Sequence, residues 1–127
     1  MKPIWIVDDD QSIRFVLEKA LAREDLAVRS FTNPRDVLAA LEDDLPQVLV
    51  SDIRMPGGSG IELLSKIKAR FPHIPVIIMT AYSDLDSAVA AFQGGAFEYL
   101  PKPFDVDQAV ELVRRAIDET AHQHAGE

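Results

Sequence analysis

The chain has 127 residues, 47% apolar and 27% charged, a balance that fits one soluble domain with a single sizeable core and excludes disordered or collagen-like chains. Its 21 acidic against 13 basic residues give a formal net charge of -8, which repels phosphate backbones, so any contact with DNA falls to another domain. The absence of cysteine removes disulfides, zinc ribbons and thiol nucleophiles, and leaves the chemistry to carboxylates, hydroxyls, lysine and three scattered histidines.

Short apolar runs alternate with stretches of helical period. Residues 3–7 (PIWIV) read as a buried strand, with Trp5 in the core. After Asp8-Asp9-Asp10, the positions Ile13, Val16, Leu17, Ala20 and Leu21 follow the stripe of an amphipathic helix. Residues 27–31 form a second strand. Asn33-Pro34 then supplies a capping side chain and a proline at the first helical position, and Val37, Leu38 and Leu41 give that helix its apolar face.

A third strand spans 47–51 (QVLVS), and Met55-Pro56-Gly57-Gly58 reads as a loop. Ser59-Gly60-Ile61-Glu62 matches a capping box and opens a helix that ends near Phe71-Pro72. Residues 76–79 make a fourth strand. Ser83 or Asp84 caps the next helix, which carries Leu85, Ala88, Val89 and Phe92 and stops at Gly94-Gly95. The stripes of the helices are assigned to the core. Residues 97–100 are a fifth strand, and Asp105-Val106-Asp107-Gln108 opens a last helix through Val110, Val113 and Ile117. His73 reads as a loop residue before Pro75. The domain is set at 1–121. The small, polar stretch 121–127, with His122 and His124, is expected to fray or to begin a linker.

Five units of this kind, with near-continuous apolar strands, predict a parallel sheet covered on both faces. The chosen layout is α/β and flavodoxin-like: a doubly wound five-stranded sheet of order 2-1-3-4-5 with five helices. No apolar run approaches the roughly 20 residues that span a bilayer. The start turns charged at Asp8, which argues against a signal peptide, so a cytoplasmic protein is expected.

In open parallel sheets, ligands bind outside the carboxyl ends of the strands. Here those ends carry Asp8, Asp9 and Asp10, then Asp52, then Thr80, with Lys102 after the fifth strand. Taken singly, each has a plain reading: an Asp run is a solvated turn, Thr80 a capping residue, Lys102 a loop lysine. Together they converge on one edge. Clustered carboxylates raise one another's pKa, a conflict that a divalent cation or a lysine removes. Oxygen ligands with open coordination favour magnesium.

These residues resemble a known family. Asp8-Asp9, Asp52 followed by Met55-Pro56 and Gly60, Thr80-Ala81, and Lys102-Pro103-Phe104 match the receiver domains of response regulators over essentially the whole chain. The stretches SDIRMPG, VIIMTA, SDLDSAV and GAFEYLPKPFD are similar to the NtrC-like branch of nitrogen-regulation activators. The resemblance implies Asp52 as the phosphoacceptor. It implies Mg2+ held by Asp9, Asp52 and the backbone carbonyl of Arg54, with Asp8 acting through water. Thr80 and Lys102 would hold the phosphoryl group, Lys102-Pro103 would be a cis peptide, and Tyr99 matches the aromatic switch position. It further implies a sensor histidine kinase as partner, and an ATPase domain and a DNA-binding domain outside this chain that serve the sigma-54 polymerase. The chain is therefore expected to be a fragment. Two consequences of phosphorylation stay open, a homodimer or a patch offered to the missing domains. One departure from the branch is Ser59, where an acidic residue is usual.

Two other function classes compete. Asp8-x-Asp10 faintly matches haloacid-dehalogenase phosphatases, with Asp8 as nucleophile and Asp10 as general acid, although Ser12 stands where threonine is expected. A phosphorylation-independent interaction module is the second. A flavin carrier is weaker, since no phosphate-cradling loop follows the first strand.

Overall fold

The computed structural model describes residues 2–55, 58–81 and 83–125. Among these residues, seven strands and five helices follow one another as β1 (Ile4–Val7), α1 (Gln11–Ala22), β2 (Val28–Phe31), α2 (Pro34–Ala40), β3 (Val48–Asp52), β4 (Arg54–Met55), β5 (Gly58–Ser59), α3 (Gly60–Arg70), β6 (Val76–Ala81), α4 (Leu85–Gln93), β7 (Glu98–Lys102) and α5 (Val106–Ala125). The main sheet has the order β2-β1-β3-β6-β7 and every pairing in it is parallel. Setting aside the short antiparallel ladder β4–β5, this is the 2-1-3-4-5 order expected from the sequence.

Alternation along each central strand divides the core in two. Trp5, Val7, Leu49, Val76 and Ile78 pack with residues of α2 and α3 on one face; Ile4, Ile6, Val48, Val50 and Met79 pack with α1 and α5 on the other. Trp5 is fully buried. Side chains of period two, covered on both sides, are what a doubly wound sheet requires.

Local chemistry sets the helix starts. Asp10, Asn33, Ser59 and Asp84 each cap a helix by accepting a backbone N–H, from Ser12, Asp36, Glu62 and Ser87 respectively. Of the two caps proposed for α4, Asp84 fills the position. The stop at Gly94-Gly95 is also present: Gly94 caps α4 and Gly95 takes φ 99°, a left-handed conformation that glycine adopts without a Cβ clash. Among the described residues, no helix is long and apolar enough to cross a membrane.

Several expectations need correction. β3, β6 and β7 run further than the sequence suggested, so that Asp52, Thr80 and Lys102 are strand residues rather than residues beyond strand ends. The ends of the expected loop, Met55 and Gly58, pair with each other, as do Arg54 and Ser59 beside them, to make β4–β5; Pro56 and Gly57 lie outside the described residues. α5 continues to Ala125, past the expected fray at 121, because nothing in Ala121-His122-Gln123-His124 breaks a helix. The side chains of His122 and His124 lie outside the described residues.

The assignment of every helical stripe to the core fails on α4. Leu85, Val89 and Phe92 are exposed by 67%, 48% and 44%, whereas Ala88 and Ala91 are buried. The small alanines let α4 lie close to β6, which turns the larger residues outward. On α1, Val16 is likewise at the surface, and Leu17, Ala20 and Leu21 make the contact.

Candidate functional site

The carboxyl ends of β1, β3, β6 and β7 bring Asp8, Asp52, Thr80 and Lys102 together. Ligand oxygens of Asp8, Asp9 and Asp52 all lie within 4.8 Å of one another. Asp8 is fully buried, Asp52 nearly so, and Asp9 is exposed.

Asp8 is held through every polar atom it has. Its amide donates to the Phe31 carbonyl at 3.1 Å. Its Oδ1 accepts from the Asp10 amide at 2.9 Å, its Oδ2 from Lys102 Nζ at 2.9 Å, and its carbonyl from Arg14 Nη1 at 2.6 Å. Burial pushes the Asp8 carboxyl above its ordinary value, although the Asp10 amide and Lys102 pull the other way and Asp52 adds repulsion. Each carboxylate oxygen thus accepts one hydrogen bond from a protein donor, and the group is fully buried. Asp10 is occupied as the α1 cap, through the Ser12 amide.

Asp52 Oδ1 accepts from the Ile53 amide at 2.9 Å and lies 3.2 Å from Lys102 Nζ. Its Oδ2 takes no hydrogen bond from the described residues. Burial works to lower the Lys102 pKa, but the Asp8 and Asp52 carboxylates outweigh it and hold the ammonium above its usual range. Lys102-Pro103 is a cis peptide, as the resemblance implied.

Thr80 Oγ1 is buried and finds no hydrogen-bond partner among the described residues. An orphan hydroxyl at the mouth of a charged site is a donor awaiting an oxygen. Tyr99 lies two register positions back from Thr80: it pairs with Ile78, whereas Thr80 pairs with Pro101. Its ring meets Phe92 of α4 edge-on, with centroids 5.6 Å apart. Arg54 is exposed and its side chain pairs with the α4 cap Asp84 at 3.3 Å, a contact the sequence did not suggest. The Asp84 carboxyl is held below its ordinary value, first by Ser87 and also by Arg54.

Three carboxylates face one cationic side chain, and all offered ligands are oxygens. That donor set fits a hard divalent cation that keeps some positions for water or phosphate. Asp8, Asp9 and Asp52 each offer a carboxylate oxygen to that shared position. Two residues escaped the sequence reading: Arg14, whose signal was only its place one helical turn into α1, and Ser51, buried beside Asp52 with its hydroxyl donating to the Asp52 carbonyl.

The response regulator receiver domain family has a sequence model that matches residues 4–114. The DNA-binding transcriptional regulator NtrC of Salmonella typhimurium is 61% identical over 120 residues, covering 94% of this chain and 26% of that protein. The C4-dicarboxylate transport transcriptional regulatory protein DctD of Rhizobium meliloti is 38% identical over 89% of this chain and 25% of its own length. The chain thus spans about a quarter of the curated relatives it matches. Among solved structures, the apo receiver domain of nitrogen regulatory protein C superposes with a TM-score of 0.84 at 61% identity, over 93% of this chain and 95% of that one. The receiver domain of NtrX from Brucella abortus gives 0.86 at 31% identity, over 91% and 98%.

Proposed function

This chain belongs to the response regulator receiver family, and from that membership we propose that Asp52 accepts a phosphoryl group from a sensor histidine kinase in a magnesium-dependent step. The observation that carries the proposal is the meeting of the Asp8, Asp9 and Asp52 carboxylates with Lys102 at one sheet edge.

Asp9, Asp52 and the Arg54 carbonyl would hold the magnesium, with Asp8 reached through water. The ion would supply positive charge that offsets the repulsion between a carboxylate and an incoming phosphoryl group. Asp52 Oδ1 is fixed by the Ile53 amide and Lys102, which leaves Oδ2 to attack phosphorus. The new O–P bond forms as the P–N bond to the kinase histidine breaks, and the imidazole departs neutral, its other nitrogen already protonated. Lys102 provides a compact charge to the transferred oxygens, and the unpartnered Thr80 hydroxyl donates to one of them.

Movement of Thr80 toward the phosphoryl group frees space near β6 and β7. Tyr99 turns inward, its contact with Phe92 is lost, and α4 shifts with its exposed Leu85 and Val89. A near-complete change of population asks phosphorylation to favour one state by about 5 kcal/mol. In the cell the chain would serve as the cytoplasmic switch of an NtrC-like, sigma-54-dependent activator in nitrogen regulation. Its ATPase and DNA-binding domains would lie in the remainder of a longer protein, and its boundary would fall at 121.

Intact mass after incubation with acetyl phosphate and magnesium tests the chemistry. One phosphoryl increment on the wild type, absent from Asp52→Asn and abolished by chelator, is the expected result. No increment, or one that survives loss of Asp52, would overturn it.

A further inference from the structure

Asp9 is the exposed member of the carboxylate cluster and takes no hydrogen bond from the described residues. The backbone placement from which its side chain springs is therefore fixed by the two peptide planes that flank it. The plane after it is clamped by the Asp10 amide, which donates to Asp8 Oδ1. The plane before it contains the Asp8 carbonyl, which accepts from Arg14 Nη1 at 2.6 Å. Arg14 stands four residues into α1, a helix anchored at its other side by Leu17 and Leu21, so the guanidinium is carried on a rigid element.

We propose that Arg14 is a positioning residue for the divalent cation: by clamping the Asp8–Asp9 peptide, it aims the Asp9 carboxylate at the site shared with Asp52. The inference rests on the magnesium reading above and concerns how the chain holds its ligand in place. Outer groups that orient a metal ligand commonly govern its affinity as much as its own identity does.

The sign of the effect separates positioning from simple charge. Arg14 is a cation beside a cation site, so Coulomb repulsion alone predicts that removing it tightens magnesium binding. Loss of a clamp predicts the reverse.

The test is calorimetric titration of magnesium into the 127-residue chain without phosphodonor, for wild type, Asp9→Asn, Arg14→Ala and Arg14→Lys. Arg14→Ala is expected to weaken binding about tenfold, and Arg14→Lys, which keeps one donor and the charge, to recover part of the loss. Thermal unfolding in chelator shows whether each variant folds. Should the alanine protein unfold, Arg14→Met keeps the aliphatic stem and carries the same expectation. Binding by Arg14→Ala or Arg14→Met as tight as wild type, or tighter, overturns the positioning role while the magnesium site stands. A wild type that binds no magnesium, or an Asp9→Asn protein that binds it equally well, overturns the magnesium reading and this inference with it.

Discussion

Lys102 Nζ donates to Asp8 Oδ2 at 2.9 Å across a sequence separation of 94 residues, tying the last strand of the sheet to the strand beside its far edge. The same nitrogen lies 3.2 Å from Asp52 Oδ1. One lysine thus balances the two buried carboxylates of the site. The benefit is unequal. The carboxylates raise the Lys102 pKa on balance, whereas Asp8 loses more to burial than the lysine returns.

Lys102→Met leaves Asp8 buried without its cation. A loss of about 2 kcal/mol is expected at pH 7 in chelator, below the range for fully buried pairs because a quarter of the Lys102 side chain stays in solvent. Since the folded-state pKa of Lys102 is raised, its contribution is fully present below the unfolded value of 10.5 and is lost as pH rises through the folded one. Urea unfolding from pH 7 to 11 should show the wild-type advantage constant at first and beginning to narrow above pH 10.5. Parallel curves would sink this account of the pair.

Asp8→Asn is expected to act in the opposite direction. A carboxyl whose folded-state pKa is raised costs stability once it ionises, so the fold prefers it neutral. Asparagine keeps an acceptor for the Asp10 amide and removes repulsion with Asp52. The apo Asp8→Asn protein should therefore be more stable than the wild type at pH 7. That gain should shrink as pH falls through the raised folded-state value and be gone below the ordinary value of 3.8, where the wild-type group is protonated in both states. Melting temperatures of both proteins at pH 7 and pH 4 check the sign. A destabilised Asp8→Asn at pH 7 would mean that the lysine pair outweighs burial.

Thr80→Val removes a buried hydroxyl that has no partner among the described residues and keeps the branched shape that a strand favours. Stability of the unphosphorylated protein should rise by about 1 kcal/mol, the penalty of an unsatisfied polar group. Phosphorylation of Asp52 should persist, because the nucleophile is untouched. The amide shifts of α4 on phosphorylation should be much reduced. Full-sized α4 shifts in phosphorylated Thr80→Val would exclude the hydroxyl as the link.

The sequence made this site legible because strand ends are marked by chemistry. Apolar runs break where Asp8, Asp52, Thr80 and Lys102 begin, and a parallel sheet gathers those breaks at one edge. The topology followed from the same alternation. Less legible was what depends on fit between elements. Periodicity places Leu85, Val89 and Phe92 on one stripe but does not say that Ala88 and Ala91 occupy the closer approach to the sheet. Arg14 reads as an ordinary solvent-facing helix residue until the turn of Asp8–Asp10 brings a carbonyl within its reach. The register of Tyr99, two positions back from Thr80, needed the β6–β7 pairing itself.

Gly60 and Gly95 are glycines for two different physical reasons. A Cβ on Gly60 would overlap the carbonyl oxygen of Asp52 and stand 2.9 Å from Ile53 Cα, so backbone has to move where the phosphoacceptor sits. Gly60 also donates its amide to the Ile53 carbonyl at 2.8 Å, which pins the chain there. Gly60→Ala should cost about 3 kcal/mol by overpacking and slow phosphorylation by acetyl phosphate, because Asp52 is displaced. At Gly95 the added Cβ meets only the Lys68 side chain at ordinary distances, and the cost lies in φ 99°. Gly95→Ala should cost about 1 kcal/mol and leave the rate of phosphorylation unchanged, since the α4–β7 turn is remote from the carboxylates. Chemical unfolding and time-resolved intact mass read both quantities on both variants. Equal phosphorylation rates in the two proteins would show that Asp52 tolerates movement of its own backbone, and the tight approach of Gly60 would then serve the fold alone.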